Sequence, residues 1–238
     1  MLIALLLTAC NQKGSTSTDN KIADTLTTIN LPDKPGVQSK VENDTILYSD
    51  TTVILGRTYY AYSLRNDLFL IKDKQDDTLL IEKELPPNFE FKDFNGDGCE
   101  DVMLYHYSSN TGGVYDLILY DRVKKTFRFI ENFPDFPEPI KIRNTKFYYS
   151  YHKSGCADMN WDSDLFYIDN FKTIRIGNIS GEGCNNRNMK DGIYIYKIRG
   201  KKETLFTTLP ISTIEKYTDY KWGFIKEYWT NNCNDFSK

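Results

Sequence analysis

The chain has 238 residues, with 30 Lys and Arg against 33 Asp and Glu, so its formal charge is only −3. That balance, with no basic stripe, excludes nucleic acid as an expected partner. The length suits one domain with a substantial core, and the 17 Tyr and 14 Phe, among many Thr and Ile, favour strands over helices.

The chain opens on the apolar run MLIALLLTAC, ending in Leu7-Thr8-Ala9-Cys10. This is similar to the end of a bacterial lipoprotein signal, in which Cys10 takes the lipid and becomes the mature N-terminus. The apolar part is short and no basic segment precedes it, so residues 1–10 read as a truncated signal. The polar stretch NQKGSTSTDNKIADT follows, and residues 11–43 read as a flexible tether. Each buried lipid methylene is worth ~0.8 kcal/mol, so multiple acyl chains would hold the protein firmly at a membrane. No apolar run is long enough to span a bilayer. The expected location is the bacterial cell envelope, lipid-anchored and facing the periplasm or the cell surface.

A single domain is placed at residues 44–238. It begins with short strand-like runs, TILYS, TTVIL, RTYYAYSL, DLFLIK and TLLIEKEL, broken by turn segments such as RNDL. Next comes FKDFNGDGCED, which puts oxygen-bearing side chains at alternate positions. The spacing D-x-N-x-D-G-x-x-D reads as a calcium loop. Asp93, Asn95, Asp97 and Asp101 offer side chains, Cys99 offers its backbone carbonyl, and Gly98 stands where the sharp turn needs a residue without a Cβ. Leu104 occupies the place where a helix-loop-helix site needs Glu, which rules out an ordinary EF-hand. The ligands are all hard oxygens, suiting calcium in a structural role rather than zinc or copper. The plain alternative is a solvated Asp/Asn/Gly turn.

EDVMLYHY, VYDLILYD and KTFRFI follow as strands. Between the first two, YSSNTGGVYD is a Ser/Asn/Gly loop bearing a tyrosine, the composition that recognition surfaces favour. Ser108, Ser109, Asn110, Thr111 and Tyr115 are its candidate contact residues, against the plain reading of a hairpin loop. The proline-rich ENFPDFPEPIK is excluded from a central strand. Further strands are IKIRN, KFYYSYH, DLFYID, FKTIRIGNIS, GIYIYKI and ETLFTTL, several alternating apolar with polar. DMNWDSD echoes the metal spacing at Asp158, Asn160 and Asp162, but Ser163 replaces the glycine, so a second site is not expected. Cys156 and Cys184 lie in glycine-containing turns and are expected to pair in an oxidising compartment. Cys99 and Cys233 are left free or paired with each other. His106 and His152 read as strand residues rather than ligands. Near the end, Trp222, Ile225, Tyr228, Trp229 and Cys233 fall at three-and-four spacing, predicting an amphipathic helix over about 219–236. Its aromatic stripe is read as core rather than a groove. The fold class is therefore all-β: an irregular β-propeller-like domain of short antiparallel strands with one calcium loop and a C-terminal helix. A sandwich or closed barrel is the alternative.

FEFKDFNGDGCEDVMLY is similar to the calcium-loop segments of the FG-GAP and VCBS repeats that build β-propellers. Together with SSNTGGVYDLILYD, KTFRFIENF and KFYYSYH, the stretch from about 85 to 180 resembles a family of bacterial lipoproteins. These are calcium-binding, propeller-like immunity proteins that inhibit lysozyme-like toxins delivered by a type IV secretion system. The family also resembles periplasmic inhibitors of invertebrate-type lysozyme. The resemblance implies a metal role for Asp93, Asn95, Asp97, Cys99 and Asp101, and a monomeric, membrane-anchored inhibitor of a lysozyme-like hydrolase or toxin. It implies no enzyme activity. The lysozyme inhibitors use a Ser-Gly-x-Tyr loop, and here Gly112-Gly113-Val114-Tyr115 lacks the serine. One alternative is a glycan-binding or adhesive surface lipoprotein. Another is a glycosidase, which needs two carboxylates across a cleft. Asp162, Asp164 and Glu182 are available for that role, but no spacing selects them.

Overall fold

The computed structural model describes residues 45–109, 112–184 and 189–238. Cys10, the tether, Asn110 and Thr111 lie outside the described residues. The all-β class and the C-terminal helix stand as the sequence implies, in three successive antiparallel sheets.

The first sheet is a meander of β1 (Ile46–Ile54), β2 (Arg57–Leu64), β3 (Leu68–Asp73) and β4 (Thr78–Lys83). Strand β1 runs unbroken through Asp50, which pairs with Ala61, so TILYS and TTVIL are one strand rather than two. Its turn at Leu55-Gly56 takes positive φ at both residues, the twist a tight hairpin favours. The second sheet is β5 (Phe89–Lys92), β6 (Asp101–Ser109), β7 (Gly112–Asp121) and β8 (Thr126–Phe129). The third contains β9 (Ile140–Lys141), β10 (Phe147–Tyr149), β11 (His152–Gly155), β12 (Asn160–Asp169), β13 (Lys172–Glu182), β14 (Gly192–Arg199) and β15 (Lys202–Leu209). Its order is β15-β14-β13-β12-β10-β9, with β11 also on β12. Among the described residues each sheet is open at its edges, so the strand pairings close no barrel.

The middle sheet is buried on both faces. Val102, Leu104, Ile118 and Tyr120 join Tyr59, Phe69 and Ile71 of the first sheet in one core. Their chain neighbours Met103, Leu117 and Leu119 point the other way, onto Tyr148 and Phe166 of the third sheet. That double burial explains why the sequence there is a near-continuous apolar run. The proline-rich segment links these sheets. It forms a short 3-10 turn at Phe133–Asp135 that buries Phe133, and Glu131 bridges to Lys172 of β13.

Helix α1 (Lys221–Phe236) covers the other face of the third sheet. Phe224, Ile225, Trp229, Cys233 and Phe236 pack onto Trp161, Ile179, Ile193 and Ile195, each large side chain worth roughly 1.5–3 kcal/mol by burial. The approach is close: a Cβ at Gly177 would stand 2.7 Å from the Phe236 ring. ISTIEK, just before, forms a 3-10 turn at Ile211–Lys216. Trp222 departs from the expected core stripe. It sits at the first turn and is 46% exposed, with its ring against Tyr151.

Candidate functional site

The loop between β5 and β6 is built around its own acidic residues. Lys92 pairs with Asp101, so residues 93–100 close a hairpin. Asp93 accepts N–H bonds from Gly96 (2.8 Å), Asp97 (3.0 Å) and Gly98 (3.0 Å). Asn95 Oδ1 accepts from the Asp97 N–H (2.8 Å), and Asp97 Oδ1 from the Cys99 N–H (2.8 Å). Gly96 and Gly98 take φ of 72° and 83°, which glycine adopts without a Cβ penalty. Asp101 is fully buried and accepts from the N–H groups of Tyr120 (2.9 Å), Phe94 (3.1 Å) and Asn95 (3.4 Å). Burial pushes its carboxyl up to about 7, opposed by these N–H donors and reinforced by the charge of Asp97.

Two cations stand beside the loop. Arg122 Nη1 donates to the Asp97 carbonyl at 2.8 Å. Burial lowers the Lys141 ammonium while the charges of Asp93 and Asp97 raise it. Neither was foreseeable, since they come from 25 and more residues downstream. Among the described residues no three His, Cys, Asp or Glu side chains are gathered as a metal-holding group; the oxygens are turned onto backbone N–H groups. Asp93 Oδ1 and Asp101 Oδ2 each accept two of these bonds, yet every carboxylate keeps at least one lone pair on its other oxygen. The donor set, oxygen throughout, therefore fits the chemistry of a hard cation. The Cys99 side chain is buried in the first core.

The β6–β7 hairpin is fixed at its base. Ser108 pairs with Gly113 and Ser109 with Gly112. Gly113 donates its N–H to Glu138 Oε1 at 2.7 Å, and the Glu138 N–H returns a bond to the Gly113 carbonyl at 2.9 Å. Glu138 holds φ at 48°, a conformation that costs a non-glycine residue ~1–3 kcal/mol. A Cβ on Gly112, at φ 118°, would lie 2.9 Å from Glu138 Cγ. Tyr115 is half-buried, 5.4 Å from the Tyr105 ring, and packs against the second core. Its ring supports the hairpin from beneath. Burial, then Glu138, raises its hydroxyl pKa. One strand step away His106 Nε2 meets the buried Asp116 carboxylate at 2.6 Å.

Two clefts meet near this hairpin, and the smaller reaches it at Gly112. One, of ≈ 670 Å³, lies between Met159, Trp161, Ile211, Ile214, Tyr220 and Trp222. The other, of ≈ 490 Å³, runs from Gly112 and Glu138 past Tyr149 and Tyr151 to Trp222 and Lys226. Asp219 and Trp222 line both. The Trp222 ring rests on Tyr151, centroids 3.8 Å apart. Asp158 ties the floor together: its carboxylate accepts from the Tyr151 hydroxyl and pairs with Lys221 Nζ at 2.6 Å. Positive φ recurs around the larger cleft, at Cys156, Ala157 and Asp158 on one wall and at Asp219 and Tyr220 on the other. Sequence reasoning missed this surface, since Trp222 falls in register with core residues.

Cys156 and Cys184 are joined, with Cα atoms 6.6 Å apart, and the bond pins the 156–158 wall to the end of β13. Cys99 and Cys233 are free and buried. The carboxylates weighed for glycosidase chemistry lie on the third sheet. Asp164 is bonded to Arg175 (2.6 Å) and Asn178 (2.9 Å), Glu182 to Ser180 (3.1 Å), and Asp162 to Ser154. None of the three lines either cleft.

No protein-family model and no curated protein matches the chain. Among solved structures it is similar to a Xanthomonas type IV secretion system related protein, at 15% identity and a TM-score of 0.46. The match covers 69% of this chain and 98% of that one.

Proposed function

We propose that this chain is a lipid-anchored, calcium-stabilised binding protein of the bacterial cell envelope that inhibits a lysozyme-like cell-wall hydrolase. The observation that carries the reading is the reciprocal clamp between Gly113 and Glu138. A Ser/Asn/Gly loop becomes a recognition element when a rigid scaffold positions its ends, and here one bond to the Glu138 carboxylate, one backbone bond and a strained Glu138 do so. Cys10 would carry the lipid, and Ser108, Ser109, Asn110 and Thr111 would meet the partner. Tyr115 would support them from behind. Calcium, held by Asp93, Asn95, Asp97, Asp101 and the Cys99 carbonyl, would supply the positive charge this acidic loop otherwise takes from Arg122 and Lys141. Its role is to hold the register of β5 against β6, the sheet from which the hairpin springs.

The test is inhibition. The chain is titrated against invertebrate-type lysozyme and lysozyme-like secretion toxins while lysis of cell-wall substrate is followed. Stoichiometric inhibition of at least one is expected, weakened in Glu138→Ala, whose hairpin loses its anchor. Full hydrolase activity throughout the titration would overturn the reading.

A further inference from the structure

The remaining unexplained surface is the pair of clefts that meet at Trp222. Single exposed apolar residues need no explanation, but here several collect in a concavity. Tyr220 is 64% exposed, Trp222 46% and Met159 51%, beside Ile211 and Ile214 of the preceding turn. The rim is charged yet balanced. The larger cleft has Asp158, Asp219 and Lys221; the smaller adds Glu138, Lys153 and Lys226. Three carboxylates therefore face three ammonium groups, and no net charge selects an ionic ligand. Asp158 and Lys221 are engaged with each other. Asp219, Lys153 and Lys226 hold no ion pair among the described residues.

We infer that these adjoining clefts bind a neutral oligosaccharide, with sugar rings laid on Trp222 and Tyr220 and hydroxyls bonded to Asp219, Lys153 and Lys226. An apolar peptide would cover the same rings but bury those rim groups unpaired, which is costly. A polyol offers both donors and acceptors, and so satisfies carboxylate and ammonium alike. Its rings also present C–H faces that match a flat aromatic surface. Each cleft falls within the ~300–1,000 Å³ that ligand sites span, so the two together suit a ligand of more than one ring. The mixture of an apolar floor and a few placed polar groups is the usual make-up of such sites. The site is separate from the hairpin contacts proposed above, though Glu138 borders both.

The test uses the full chain with cellotriose, xylotriose and chitotriose as probes, read by calorimetry and by tryptophan fluorescence. At least one is expected to bind at millimolar concentration or below, with a change in Trp fluorescence. Trp222→Ala should weaken that binding by about tenfold or more. Asp219→Asn and Tyr220→Ala alter exposed side chains and should weaken it with the melting temperature unchanged, so the inference stays testable even if Trp222→Ala unfolds. No binding by any of the three sugars, or binding indifferent to all three substitutions, would overturn it. A chain that inhibits a hydrolase but binds no sugar sinks only this inference. One that binds sugar without inhibiting sinks only the earlier reading.

Discussion

The spacing Asp-x-Asn-x-Asp occurs twice, at residues 93–97 and 158–162, and the two copies end as different structures. In the first, Gly96 and Gly98 take positive φ, the chain coils, and the acidic side chains fold back onto its N–H groups. In the second, the residues between the acceptors are Met159 and Trp161, and Ser163 stands where glycine would be. Trp161 is buried in the third core, and Ser163 Oγ accepts the Trp229 indole N–H at 2.9 Å. Those contacts draw the backbone straight into β12. The three acceptors are then dispersed: Asp158 to Tyr151 and Lys221, Asn160 to the N–H groups of Gly183 and Cys184, Asp162 to Ser154. The lesson is physical. A ligand spacing becomes a loop only if the residues between the ligands have no better place to go.

Three variants would break the second region and should leave the first intact. The largest effect is expected from Trp229→Ala. It removes a fully buried ring from the Phe236 contact and leaves the Ser163 hydroxyl only its bond to the Ser150 carbonyl, at a cost of ~3–5 kcal/mol. Urea titration would show it as a lower midpoint with the slope retained. Replacing Cys156 and Cys184 together by Ser comes next. Opening a loop of 28 residues should cost ~3–4 kcal/mol, read as a fall in melting temperature that matches the reduced wild type.

Lys221→Met is smaller and depends on pH. Burial pushes the Asp158 carboxyl up, but Lys221 and Tyr151 outweigh it and hold the group below its ordinary 3.8. A carboxylate depressed in the folded state contributes stability that is complete above the unfolded value and lost as pH falls through the folded one. The pair is only partly buried, so removal of Lys221 should cost ~1–3 kcal/mol at pH 7. In acid below the depressed value that difference should shrink to the part carried by the Lys221 bond to the Asp158 carbonyl (2.9 Å), which does not titrate. A gap that does not narrow at all would assign the effect to that bond and to packing on Trp222 and Tyr151 instead.

The same contrast marks what the sequence could reveal. Helix α1 was legible because its apolar residues repeat at one spacing, and it was misjudged only at Trp222, whose ring lies half-exposed against Tyr151. The Cys156–Cys184 bond was legible because both cysteines sit in turns. The break between TILYS and TTVIL was not real, since the pairing of Asp50 with Ala61 comes from β2, outside any local window. Likewise nothing near Gly113 announces Glu138, and nothing near Asp97 announces Arg122 and Lys141. The loop could be read from its own residues; the groups that clamp and neutralise it arrive from distant strands.

Calcium calorimetry on the wild type, Asp97→Asn and Asp162→Asn tests the central contrast most directly. The same spacing is altered once in each region, and both substitutions remove one charge while keeping shape. Extracellular calcium modules bind at ~0.1–1 mM, and a hundredfold excess over the dissociation constant would add ~2.7 kcal/mol to stability. One calcium per chain is expected in the wild type and in Asp162→Asn, none in Asp97→Asn, and a melting temperature that EDTA lowers in the first two alone. Absence of binding heat in the wild type, or binding that survives Asp97→Asn and fails in Asp162→Asn, would contradict it.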